Sequence, residues 1–271
     1  MILMYLFEYF AVIVFGLIFG SFITALSFRI PKKISIAKGR SFCDKCKKEI
    51  AWYDNIPLLS YLLLRGKCRN CHKKISIRYP LIEFFTALTF LLIFTVYNLQ
   101  DTVFIDSVFN TWGNILGVFT LPYFILISII LIAIFIIDLE KGIIPDTLIF
   151  ILYLIVGTFL VLTHFNNFYL HLFAGMFAAM LLYFLFFITK GKGMGLGDVK
   201  LAIPLGTILG VSYSLVWLFL AFLTGAYIGI ILILVKRAKI KDKIAFGPFL
   251  IFAFFIALIW GKRIIVNLGI F

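Results

Sequence analysis

Between two apolar segments the chain carries Gly191-Lys192-Gly193-Met194-Gly195-Leu196-Gly197-Asp198, four alternating glycines that end on an aspartate. Glycine is poorly suited to a helix interior, and a carboxylate is among the costliest side chains to bring near lipid. Together they predict a backbone that opens around a chemically active acid. A second acid, Asp138, closes the uninterrupted apolar run Leu121 to Ile137, with no lysine or arginine nearer than Lys141. Two aspartates at one depth, one ending a helix and one opening another, suit water activation by an aspartic dyad. In such a dyad one carboxyl holds a proton and the other takes one. Helix dipoles favour Asp198 as the resting base and Asp138 as the resting acid, with the pair titrating jointly. Gly193, Gly195 and Gly197 would let a substrate backbone approach in an extended form, since peptide bonds inside helices are not readily cleaved.

Three other carboxylates, Glu83, Glu140 and Asp146, also fall at span ends on the same side. Glu140 reads as a boundary residue in water. Asp146 follows Pro145 and precedes an apolar run, which suits a helix N-cap.

All four cysteines lie in one segment, as Cys43-x2-Cys46 and Cys68-x2-Cys71. Paired knuckles of this spacing place four thiolates tetrahedrally around one zinc ion. A reducing cytoplasm disfavours two disulfides in their place. Such a site is closed, so the zinc is expected to be structural and to organise a polar loop too small to build a good core alone. His72 beside Cys71 is expected to be a solvated neighbour. Around the knuckles run Trp52-Tyr53-Asp54-Asn55-Ile56-Pro57, Arg65-Gly66-Lys67 and Ser76-Ile77-Arg78-Tyr79-Pro80. This mixture suits a ligand carrying an aromatic base and a carboxylate, and equally suits packing on lipid headgroups.

Hydrophobic residues make up 63% of the 271, and the mean hydropathy is +1.14. Several apolar runs reach the roughly 20 residues that an inserted helix needs. The fold class expected is therefore an all-α polytopic membrane protein, with a small zinc-binding cytosolic loop domain between its first two spans. About eight transmembrane helices are expected, near 8–28, 81–98, 121–138, 146–164, 169–189, 199–211, 214–235 and 246–261. The first run lacks a basic segment before it and reads as a retained span, not a cleavable signal. Residues 199–211 are short and hold Pro204, Gly206 and Gly210, and residues 103–119, with Asp106, Asn110 and Asn114, read as interfacial or external. No internal repeat is evident.

The net charge is +13. With the loop after the first span cytoplasmic, 23 of the 25 Lys and Arg residues fall on the cytoplasmic side and only Lys262 and Arg263 lie outside. That asymmetry is an orientation signal, reinforced by anionic lipid. It accounts for the charge without a nucleic-acid partner.

At these residues the chain resembles the type IV prepilin peptidases, bifunctional leader peptidase/N-methyltransferases of the bacterial cytoplasmic membrane. Gly20-Ser21-Phe22 with Arg29-Ile30-Pro31 is similar to the family's opening motif. The four-cysteine loop with Asn55-Ile56-Pro57 and Arg65-Gly66-Lys67-Cys68 is similar to its zinc-binding cytosolic domain. Asp138-Leu139-Glu140 with Ile144-Pro145-Asp146 resembles the segment of the first catalytic aspartate. Gly195-Leu196-Gly197-Asp198-Val199-Lys200-Leu201 resembles that of the second. Phe246-Gly247-Pro248-Phe249 resembles the last motif. Thr24 stands where the family usually has Asn, and Ala245 where proline is often seen.

The resemblance implies removal of short basic leaders from prepilins and pseudopilins after a glycine, at the cytoplasmic face of a multi-pass protein. It further implies methylation of the new N-terminal residue from S-adenosylmethionine by the region near 15–98, where no G-x-G-x-x-G pattern occurs. The expected division is an N-terminal region 1–98, with the zinc-binding domain at 29–80, and a membrane aspartic peptidase domain 99–271. Competing readings are a peptidase with an inactive methyltransferase half, a presenilin-like protease and an ion-coupled transporter. Presenilin-like proteases usually have tyrosine before the first aspartate and lack this cysteine loop. A transporter would hold its carboxylates near the membrane midplane.

Overall fold

The computed structural model describes residues 2–36, 39–99, 116–162, 168–191, 193–236 and 244–269, together with Val108, Trp112 and Gly113. Within them the regular structure is helical, and no strand longer than an isolated bridge occurs among the described residues. The helices are α1 (Ile2–Arg29), α2 (Leu59–Leu63), α3 (Arg78–Asn98), α4 (Thr120–Lys141), α5 (Asp146–Leu162), α6 (Phe168–Ile188), α7 (Leu196–Leu234) and α8 (Gly247–Leu268). Six of these are long and apolar enough to cross a membrane, and α5 is a shorter apolar helix. The all-α membrane class is thus as expected. Six rather than eight are counted because α5 falls short of spanning length and because 199–211 and 214–235, although separated by a kink at Gly210, run end to end within the 39-residue α7. The segment 103–119 lies largely outside the described residues.

The residues group into two compact units, Met1–Thr95 with Phe124–Ala133, and Val96–Tyr123 with Ile134–Phe271. In the first, α1 and α3 run antiparallel in one register. Tyr9 meets Phe94 edge-on at 5.1 Å between ring centroids. A Cβ on Gly16 would lie 2.5 Å from the Ala87 Cα, and one on Gly20 would lie 2.6 Å from the Glu83 Cα. Small residues four apart let the two backbones approach, the usual basis of helix association in lipid, where apolar burial drives little.

In the second unit α6 and α7 make the same kind of approach, with Gly206 seated on Gly175, whose Cα would lie 2.9 Å from an added Cβ. α7 then meets α8 through Trp217, whose indole N–H donates to the Leu250 carbonyl at 2.8 Å. Midway along α7 the helix breaks at Gly210, at φ 75° and ψ 179°. A break there strands the carbonyls just before it, and an apolar bundle offers no water to satisfy them. Three of them find a side chain instead. Ser214 Oγ donates to Gly206 O at 3.2 Å, His171 Nδ1 to Thr207 O at 2.8 Å and Trp112 Nε1 to Ile208 O at 3.0 Å.

The φ/ψ values of Gly210 are open essentially to glycine alone. Gly210→Ala should therefore lower the unfolding free energy by about 1–3 kcal/mol. Gly157→Ala, within α5 and with open space around the new methyl, should leave it unchanged or raise it by up to about 1 kcal/mol. Denaturation in detergent micelles checks both, and equal effects would refute the assignment.

Candidate functional site

Asp138 stands in the last turn of α4, which ends at Lys141 and is closed by Gly142 in a left-handed conformation, its N–H bonded to Asp138 O at 2.8 Å. Asp198 stands in the first turn of α7, where its Oδ2 accepts the N–H of Gly195, the N-cap residue, at 3.1 Å. Both are buried, with 4% and 5% of their surface exposed, whereas Glu140 and Asp146 are exposed. Asp146 opens α5, and its exposed carboxylate accepts the ammonium of Lys200, near the start of α7, at 2.7 Å.

One apolar side chain links the two aspartates. A Cβ on Gly197 would lie 2.9 Å from Ile144 Cβ, and a Cβ on Gly247 would lie 3.0 Å from Ile144 Cδ1 and 2.5 Å from Asp138 Oδ2. Ile144 thus sits between the glycine preceding Asp198 and the glycine against Asp138. The two acids lie close enough for the charge of Asp138 to act on Asp198. Asp138 Oδ2 and Asp198 Oδ1 are both buried with no hydrogen-bond partner among the described residues. Leaving such an atom unmatched costs about 1–3 kcal/mol, so the pair is poised to take up a polar group.

The glycines before Asp198 differ from one another. Gly191 needs its φ of +70°. Gly197 is required by the packing of Ile144, while Gly193 and Gly195 are exposed, the latter extended at φ −87° and ψ 152°. Sequence reasoning singled out the acids but passed over Ile144 and Gly247 as their neighbours. The signal for both lay in the segments Ile144-Pro145-Asp146 and Phe246-Gly247-Pro248-Phe249.

The first unit holds the cysteines. Their four sulfurs lie within 4.8 Å of one another, and Cys43 and Cys71 are 4.0 Å apart. A tetrahedral zinc with bonds of about 2.3 Å would set the sulfurs about 3.8 Å apart, so the four residues fit the ion. The knuckles are built alike. Cys43 N–H donates to Lys48 O and Lys47 N–H to Cys43 O; Cys68 N–H donates to Lys73 O and His72 N–H to Cys68 O. Lys47 and His72 have the same left-handed backbone, at φ 61° and 55°, and Ile50 and Ile75 close the two turns onto Ser41 and Gly66. A ten-residue unit therefore occurs twice, which the sequence reading missed because outside the cysteines the match is mostly in the backbone. His72 serves that backbone and is not among the clustered ligand atoms.

Burial raises the Cys43 thiol, but the N–H groups of Cys46 and Lys45 outweigh it and bring it down to about 7. At Cys71 the Lys73 N–H lowers the thiol, yet burial and the neighbouring sulfurs push it up to about 11. Negative charge on one sulfur opposes charge on the next, and a divalent cation removes that conflict.

The rest of the segment is held by polar contacts. Arg69 grips Asp54 with bonds of 2.7 and 2.8 Å, Arg29 donates to the carbonyls of Ser35, Ile36, Gly39 and Arg40, and Gly66 turns at φ +67° against the Tyr61 hydroxyl. The purified chain should carry one zinc per molecule by elemental analysis. Cys46→Ser or chelation should expose residues 41–76 to limited proteolysis, and acidification should release the metal as the thiolates protonate. Retention of an unchanged digestion pattern after complete zinc removal would refute a structural role.

Two family models match the chain: the bacterial peptidase A24 N-terminal domain over residues 14–97, and the type IV leader peptidase family over residues 124–230. Among characterised relatives, the prepilin leader peptidase/N-methyltransferase of Aeromonas hydrophila is 36% identical over 83% of this chain and 73% of its own length. Its namesake from Aeromonas salmonicida strain A449 is 32% identical over 93% and 91%. That of Vibrio cholerae is 35% identical over 76% and 80%. No solved structure matches the chain.

Proposed function

The chain belongs to the type IV leader peptidase family, and on that footing we propose that it removes the leader peptides of type IV prepilins and pseudopilins and then methylates the exposed N-terminus. Multiple apolar helices and the bacterial relatives support a place in the bacterial cytoplasmic membrane. The substrate is a membrane-embedded precursor. The observation that carries the peptidase reading is the buried Asp138–Asp198 pair, each acid with one unmatched oxygen.

One carboxyl holds a proton and donates it to the scissile carbonyl while the other takes a proton from the attacking water. The helix dipoles support Asp198, fed by the Gly195 N–H, as the base and Asp138 as the acid. Gly193 and Gly195, exposed beside the pair, leave room for an extended peptide at the cytoplasmic end of the helices. Residues 99–271 carry this chemistry in the proposal, and residues 1–98 the methylation. S-adenosylmethionine supplies the methyl group when bound. A zinc held by Cys43, Cys46, Cys68 and Cys71 keeps the loop folded and takes no part in either reaction.

Asp138→Asn and Asp198→Asn should each lower cleavage of a purified prepilin by about 10²–10⁴-fold, whereas replacing the cysteines should leave cleavage measurable. Mass analysis of the pilin N-terminus reads leader loss and methyl gain together. Full cleavage by either aspartate variant would end the dyad reading.

Gly247→Ala would place its methyl against Asp138 Oδ2. It should cut cleavage at least about tenfold with the thermal midpoint of unfolding little changed, since the end of a side chain, and not backbone, must move.

The basic leader must also approach a face carrying most of the positive charge. The ionised member of the dyad, Glu140 and anionic lipid offset that repulsion. Glu140→Gln should slow cleavage at low ionic strength and have little effect at high salt; equal rates at low salt would remove Glu140 from the account.

A further inference from the structure

The first unit encloses a cavity of about 530 Å³ between the cytoplasmic ends of α1 and α3 and the zinc-knuckle segment. That volume is typical of a site for a drug-sized ligand. Phe28, Phe42, Tyr61 and Tyr79 contribute aromatic wall, and Lys45, Lys48, Lys73 and Lys74, all exposed, contribute positive charge. Three carboxylates reach the cavity. Asp54 is gripped by Arg69, and Asp44 accepts the Tyr79 hydroxyl at 3.0 Å. The third, Glu83, is only 7% exposed and has no cationic partner among the described residues.

Glu83 is held with care. Its carboxylate accepts the Leu58 N–H at 2.8 Å, and Leu58 adopts φ +57°, a conformation uncommon for a bulky residue. The peptide after Asn55-Ile56-Pro57 is thus turned toward Glu83 at a cost in backbone strain, the kind of expense that gathers at functional sites. On the other side Gly20 brings α1 against the Glu83 backbone. A buried carboxylate with no cation, on the wall of a cavity with a basic mouth and aromatic sides, is matched by a zwitterionic ligand together with an amine.

We propose that this cavity is the methyl-transfer site. S-adenosylmethionine places its carboxylate toward the lysines and its adenine and sulfonium against the aromatic rings, and Glu83 receives the α-ammonium of the newly cleaved pilin. The proposal rests on the methylation reading above. Glu83 takes the proton from the ammonium, which frees the nitrogen lone pair. The amine nitrogen then forms the N–CH3 bond as the carbon–sulfur bond breaks with its electron pair on sulfur, leaving a neutral thioether. The proton on Glu83 leaves to water. The fit to the ligand rests on the chain's own groups: aromatic faces for a cation and a base, lysines for a carboxylate, and, for an amine, one buried acid with no cationic partner among the described residues.

The test uses the full-length chain in detergent micelles. Ultraviolet crosslinking of tritiated S-adenosylmethionine should label the cavity-lining segments 21–29 and 41–83, and excess S-adenosylhomocysteine should prevent labelling while phosphatidylglycerol vesicles do not. Calorimetric titration with S-adenosylhomocysteine should show binding weakened about tenfold or more when Lys73 and Lys74 are both changed to Gln. Methylation of a synthetic peptide with a free N-terminal phenylalanine, which needs no cleavage, should fall about a hundredfold in Glu83→Gln. Zinc content and thermal midpoint report whether that variant is folded.

Labelling outside residues 21–29 and 41–83, or its loss to phosphatidylglycerol, would overturn the site, the latter making it a lipid-headgroup pocket. Undiminished peptide methylation by folded Glu83→Gln would overturn the role of Glu83. If the unaltered chain neither binds S-adenosylhomocysteine nor methylates the peptide, the methylation reading itself falls.

Discussion

Carboxyl groups buried among apolar helices tolerate few arrangements, and the second unit is one of them. A lone buried carboxylate is expensive. Two side by side are worse unless a proton or a polar partner is shared between them. The chain meets the condition with helix ends. Asp198 sits where free N–H groups gather at the start of α7, and Asp138 sits one turn before α4 stops. Everything near the pair follows from holding those two ends together: the Gly142 turn that stops α4, Ile144 between two glycines, and the Asp146–Lys200 ion pair.

The same scarcity of water governs α7 further along. Its break at Gly210 is tolerated because three side chains from different parts of the unit take the stranded carbonyls. Trp112, His171 and Ser214 are individually unremarkable in the sequence. They have a common purpose only once the break is known. Pro204, Gly206 and Gly210 together suggested an interrupted segment, and the interruption is real. The segments on either side are two helical stretches joined end to end across the kink at Gly210.

What was legible in the sequence was what chemistry makes scarce. Acids are few, cysteines fewer, and apolar runs of spanning length cannot be mistaken. Those three facts carried the helical class, the two aspartates and the four clustered sulfurs. The neighbours of the site were harder to see, since Ile144 and Gly247 belong to residue types found throughout the chain. Their meaning comes from close packing between segments roughly fifty to a hundred residues apart, which leaves no room for a Cβ on Gly197 or Gly247. The doubled knuckle is faint in the sequence for a related reason: a left-handed turn at lysine in one copy and histidine in the other is a backbone likeness with little side-chain trace. In the sequence Glu83 is one boundary acid among several, and only the Leu58 N–H and the surrounding cavity set it apart.

The antiparallel register of α1 and α3 bears on how such proteins can vary in length. Tyr9 with Phe94, Gly16 with Ala87 and Gly20 with Glu83 keep one alignment over nearly three turns. Adding one residue inside either helix would rotate all that follows by about 100° and carry Glu83 away from Leu58. Between the rails, in contrast, the polypeptide leaves and returns at neighbouring points, and a longer excursion adds little entropic cost. Insertions and deletions in this part of the molecule should therefore be tolerated best in the polar excursion between the two helices, which can be remodelled while the rails stay in step.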